Sequence, residues 1–164
     1  MLKARRVIAI IGLCLCAGGA LANEAEEAHA KLVKLVVDGE DLFRRAEKMI
    51  SMRPSTNSKA DEIAHGIGKQ WHADEHDFQA DVWRVRKDIN LPDDVSLGLL
   101  RLEQFDSFVL DAVTQALDCR NTQAASTLEI AQQVLRRARM AAEGRPEPDW
   151  DPDLSAREDH GKCQ

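Results

Sequence analysis

The chain has 164 residues, with 28 Asp and Glu against 22 Lys and Arg and a formal charge of −6. An acidic balance of this kind argues against nucleic acid or an anionic membrane surface as a partner. The four cysteines fall in two pairs far apart in the sequence, and which pair survives maturation sets the redox chemistry.

Residues 1–22 read as an address. Lys3, Arg5 and Arg6 make a positive start, Val7 to Cys16 is apolar, and Ala20-Leu21-Ala22 supplies the small-x-small pattern of a signal-peptidase site. The apolar run is too short to span a bilayer as a mature helix. Cys14 and Cys16 each follow a Leu, where a lipidation signal wants a small residue, and Arg5-Arg6 lacks a twin-arginine context. The expectation is cleavage after Ala22 by general (Sec) secretion, a periplasmic or secreted product and no stable membrane insertion afterwards. The mature chain, 142 residues from Asn23, keeps all 28 acids but only 19 of the 22 basic residues, a net charge of −9. It is one domain of ordinary size, able to bury a core without a metal. Cys119 and Cys163 remain, and an even pair in an exported protein predicts a disulfide between them.

Four helices are predicted. The first, about 24–52, carries the heptad Ala25, Ala28, Leu32, Leu35, Gly39, Leu42, Ala46, Met49, widened by Val36, Phe43 and Ile50. Gly39 on that seam predicts close approach of a neighbouring helix, and Pro54 ends the segment. Ser58-Lys-Ala-Asp61 has the form of a capping box opening the second helix, about 58–89, with Ile63, Ile67, Trp71, Phe78, Val82, Val85 and Ile89 inward. Pro92 is read as the first residue of the third helix, about 92–118, with Asp93 and Asp94 complementing its dipole. Val95, Leu99, Leu102, Phe105, Val109, Val113, Ala116 and Leu117 are its predicted core face. Asn121 or Thr122 is expected to cap the fourth, about 122–143, whose ridge is Ala124, Leu128, Ala131, Leu135, Ala138 and Ala142.

No period-2 alternation occurs, so the expected fold is all-α, an antiparallel up-down-up-down four-helix bundle. The tail, 144–164, is rich in Pro and Asp, yet it holds Trp150 and Cys163. It is long enough to run back along the fourth helix to Cys119, and is expected to pack there as an acidic strap.

The stretch HGIGKQWHADEH, residues 65–76, carries most of the candidate chemistry. On a helical wheel with Ile63 at zero, the apolar residues of the second helix centre near about 60°, whereas His65, His72 and His76 fall near about 180–220°. Trp83 lies on the same outward stripe, with Arg84, Arg86 and Lys87 beside it, and Trp71 points inward. His72 and His76, four residues apart, could share a zinc, copper or nickel ion, with Asp149, Asp151, Asp153 or His160 of the tail as further ligands. His65 is too far along the axis to join them. His72-Ala-Asp-Glu75-His76 also matches the H-x-x-E-H string of inverted zinc proteases. That chemistry needs a cleft and a third ligand, and two outward histidines supply neither.

Asp74 lies inside the apolar arc of the second helix and Asp106 borders that of the third. Asp74 is expected to meet an arginine or a backbone donor at the edge of the core. Haem has no C-x-x-C-H to attach it and no His on the third or fourth helix to ligate it. Nucleophile-elbow, P-loop and dinucleotide motifs are missing as well.

The expected function is that of an exported, non-catalytic binding protein with no cofactor, acting on another exported protein through His65, His72, His76 and Trp83. An inhibitor or immunity-type protein is one concrete form of it. The alternative is a periplasmic divalent-metal-binding or metal-sensing protein using His72 and His76. A tail pinned at Cys119 competes for the same ground, because Trp150 would then be able to cover Trp83.

Overall fold

In the computed structural model the described residues are 3–51, 58–88, 90–118 and 120–147, with the side chains of 3–22, 58–65 and 67 outside the description. Within them the protein is all-α: α1 (Lys3–Ser51), α2 (Ser58–Arg86), α3 (Asp93–Leu117) and α4 (Asn121–Ala142), with no strand. No helix among these residues is long and apolar enough to cross a membrane. The side chains of His65, Ile63, Ile67 and the Ser58 capping box, together with Ile89, Cys119 and all of 148–164, including Trp150, His160 and Cys163, lie outside the described residues.

The heptad of α1 is its buried face. Ala28, Leu32, Leu35, Leu42, Ala46 and Met49 are all buried, with Val36 and Phe43 beside them and Ile50 packed at the margin. The helix also continues upstream to Lys3, with no proline between the apolar run and Asn23 to end it. Among the described residues α1 touches all three other helices, whereas α2 and α4 do not touch each other. Specific neighbours fix the register. Gly68 of α2 lies opposite Met49, Trp71 reaches Leu42, and Gly39 lies opposite Phe78, Phe105 and Leu135. Gly98 of α3 lies opposite Leu32 and Ala141.

Gly39 is therefore a close-approach position as its place on the seam predicts: a Cβ there would lie 3.2 Å from Leu135 Cδ1 and 3.4 Å from Phe105 Cε1. Gly98, with no comparable signal, is tighter. A Cβ at Gly98 would sit 2.6 Å from Leu32 Cδ2 and 3.3 Å from Ala141 Cβ. Gly98→Ala is expected to destabilise by about 1–3 kcal/mol through overpacking, outweighing the ~1 kcal/mol gain in helix propensity. Gly66→Ala, where a Cβ meets nothing within 4 Å, should show that gain alone. Urea midpoints that move in the same direction for both variants would refute the packing argument.

The helix ends differ from the periodicity in ways that have local causes. α2 stops at Arg86, and its last amides tighten, Lys87 donating to the Trp83 carbonyl (3.2 Å) and Asp88 to Val85 (3.1 Å). Leu91, preceding Pro92, is biased against helix, which brings the end forward from 89. Pro92 is the N-cap of α3 instead of its first residue, at φ −55° and ψ 149°, its carbonyl accepting from Ser96 at 2.9 Å. Arg120, not Asn121 or Thr122, occupies the cap of α4, with no side-chain hydrogen bond there. Leu117 is 45% exposed, a correction to its expected core position. It is the last residue of α3. α4 closes on Gly144 at φ +64°, with Gly144 donating to Ala141 (3.0 Å) and Arg145 to Met140 (2.8 Å), a Schellman ending.

Two polar ties hold the described ends. His29, which the motif reading passed over, donates through Nδ1 to the Ala25 carbonyl (2.9 Å) and through Nε2 to Asp94 (2.8 Å). The Ala25 bond first, and Asp94 next, raise its pKa, so this tie between α1 and α3 is fully made below the ordinary histidine range and loosens as pH rises through the raised value. At the other tie Glu147, just past α4, is clasped by Arg101 (2.6–3.2 Å) and Arg137 (3.3 Å). The Arg101 bonds hold its carboxyl below the usual range.

Candidate functional site

α2 presents different chemistry on neighbouring faces. Trp71 is fully buried and donates its indole N–H to the Leu42 carbonyl at 3.0 Å. Asp74, half-buried, accepts from Arg45 of α1 and from Gln70 at 2.8 Å, the arginine bond leading the fall of its pKa. The expected arginine partner at the edge of the core is thus present.

His72, His76 and Trp83 are exposed, Trp83 at 55%. His72 stands edge-on to Trp71, ring centroids 5.2 Å apart, over the buried indole. Among the described residues no group of three or more His, Cys, Asp or Glu side chains is placed to hold a metal ion. Glu75, which completes the H-x-x-E-H string, is buried while both histidines face out. The string is therefore divided between two faces of one helix.

Trp83 is also one wall of a cleft of about 130 Å³ between α2 and α3. Phe78, Val82 and Leu102 form its apolar lining, and Gln79, Glu103 and Asp106 its polar one. The cleft exists because α2 packs on α3 less closely than α4 does. Asp106 is only 5% exposed. Its Oδ2 accepts from Gln79 at 3.2 Å, and its Oδ1 has no donor. Burial, then the neighbouring Glu75 charge, pushes its carboxyl up to about 7. Around neutral pH Asp106 is therefore only part-ionised, beside Glu75 across the α2/α3 seam. Glu103 is paired with Arg86 through Oε2, and its buried Oε1 has no donor.

Comparison with protein-family models, with curated proteins and with solved structures finds no match.

The outward stripe was visible on the helical wheel. The cleft beneath it was not, although one signal was available. Glu75 falls near about 120° on the same wheel, only 60° from the centre of the apolar arc, by the 100° step of a helix. That angle is the margin of the buried face, where an acid is covered by the neighbouring helix.

Proposed function

We propose that this chain is an exported, non-catalytic protein that binds another exported protein, with the α2 face around Trp83 as the contact. An inhibitor or immunity-type protein fits this reading. One observation carries it: a tryptophan more than half exposed at the mouth of a cleft lined by two carboxylates, each with one buried oxygen that has no donor. Tryptophan contributes heavily at interface hot spots, and an unpaired buried acceptor is costly until something donates to it. The residues of the proposed interface are His65, His72, His76 and Trp83.

Export rests on the signal-like residues 1–22, with cleavage after Ala22. The proposed architecture is an antiparallel up-down-up-down bundle, supported by residue numbers that rise on α1 as they fall on α2 and α4. The tail is proposed to return along it to a Cys119–Cys163 disulfide, and the clasp on Glu147 supports that return.

A photo-crosslinking residue at position 83, in living cells, tests the interface. The expected result is a discrete adduct from position 83 and none from exposed Ser126 on α4. Once the captured protein is purified, Trp83→Ala should weaken its binding at least about tenfold, the loss of a hot-spot residue. No adduct, or the same adduct from both positions, overturns the proposal.

The alternative, a metal-binding or metal-sensing protein, draws on the exposure of both His72 and His76. It predicts that zinc, copper or nickel in excess raises the melting temperature, and that His72→Ala with His76→Ala abolishes the rise. An unchanged melting temperature in the unmutated protein removes that alternative.

A further inference from the structure

The cleft between α2 and α3 is built like a seat for one side chain. We propose that it receives an arginine of the partner protein, its guanidinium lying against Trp83 and donating to Asp106 and Glu103. This inference rests on the interface proposed above and names the chemistry at its centre.

Three features of the cleft define the occupant. Asp106 is nine-tenths or more buried and lines the cleft with an Oδ1 that has no donor, and Glu103 Oε1 is a second buried acceptor without one. A guanidinium carries five N–H donors in a planar fork and can serve acceptors on two residues at once, which a point-like ammonium does less well. Trp83 offers an indole at the mouth, and a planar cation over an indole gains a cation–π attraction. Phe78, Val82 and Leu102 supply apolar surface of the kind that an arginine stem covers. The cleft, about 130 Å³, is several times the ~10–15 Å³ that a single water needs.

Charge points the same way. The acids at this seam are Glu75 on α2 and Glu103 and Asp106 on α3, and Arg86 is the one cation paired into it among the described residues. The proposed mature chain carries −9 overall, so a basic partner would be steered toward it.

Seating the arginine also has a proton consequence. Facing Asp106 are Glu75 and Gln79 from α2, with Glu103 and its partner Arg86 beside them. An incoming guanidinium favours the ionised form, so the proton on Asp106 leaves as the arginine enters. With the carboxyl titrating at about 7, the apparent affinity should improve about tenfold from pH 6 to pH 8.

The test uses the full chain and a small probe, N-acetyl-arginine amide, with the citrulline analogue as its neutral isostere. The readout is the indole N–H resonance of Trp83, assigned by its disappearance in Trp83→Phe. Expected are a saturable shift with the arginine probe, no saturable shift with the citrulline analogue, and at least a tenfold loss of affinity in Asp106→Asn. In that variant the pH dependence should vanish. An equal response to citrulline, unchanged affinity in Asp106→Asn, or no saturable shift at the solubility limit of the probe overturns the arginine seat. The probe requires no partner, so its failure leaves an adduct at position 83 standing. A missing adduct with intact probe binding removes the interface instead.

Discussion

Replacing Trp71 by alanine is expected to destabilise the fold by about 3–5 kcal/mol, the range for deleting a large aromatic from a packed core. Trp71 has no exposed surface, and among the described residues it is the largest of the fully buried side chains. It closes the α1/α2 seam where Arg45 and Asp74 also meet, and its indole N–H is bonded to the Leu42 carbonyl. Against a typical total stability of about 5–15 kcal/mol, such a loss leaves a large unfolded fraction under mild urea. Trp71→Phe keeps most of the volume and gives up the hydrogen bond, so its cost should be nearer 1–2 kcal/mol by the usual worth of that bond plus a small void. Urea unfolding of both variants checks the ordering. An alanine variant within about 1 kcal/mol of the parent would mean that this indole does not sit in a close-packed core.

Asp106→Asn is expected to act in the opposite direction, and only above acidic pH. The carboxyl of Asp106 titrates near 7 in the folded protein, against an ordinary value of 3.8. Between about pH 4 and pH 7 the folded state therefore holds a proton that the unfolded state has released, and stability falls as pH rises through that window. Above it the loss is complete. At 1.36 kcal/mol per unit the shift corresponds to about 4 kcal/mol, and with water entering the cleft about 1–3 kcal/mol should be realised. Asparagine cannot ionise. It still offers an oxygen to Gln79 and adds an N–H₂ that can donate to Glu75. The melting temperature of the variant should match the parent near pH 4 and exceed it by several degrees at pH 8, taking about 2–4 °C per kcal/mol. A difference that is constant with pH would show that Asp106 does not carry this proton.

Much of the fold could be read before any coordinates. The heptad from Ala28 to Met49 marks a buried face because its members lie on the same side of one helix. The inward turn of Trp71 and the outward turn of Trp83 follow from the 100° step of a helix, and the structure places both so. Local rules carried less weight where two elements had to be set against each other. Nothing near Gly98 announces that Leu32, 66 residues earlier, would stand 2.6 Å from a Cβ placed there. Glu75 and Asp106 each sit at the margin of an apolar arc, and only the rotation of α2 against α3 decides that they meet. Pro92 shows a finer limit, because N-cap and first-turn positions differ by one residue and both suit proline. The stripe His72, His76 and Trp83 belongs to one helix and was legible. The cleft below it belongs to two and was not.

The central position of α1 has a consequence for the order in which the chain can fold. It is made first, yet the surfaces that cover its apolar stripe come from α2, α3 and, last of all, α4. Leu32 waits for Gly98, and Gly39 waits for Phe105 and Leu135. α3 and α4, by contrast, make each other's closest partner and are joined by only a few residues. The late hairpin is therefore the local, fast-forming unit, and α1 is enclosed only after it arrives. Until α4, residues 121–142, has emerged, the α1 stripe has no complete cover, and a chain in that condition keeps an apolar surface open to the wrong partners.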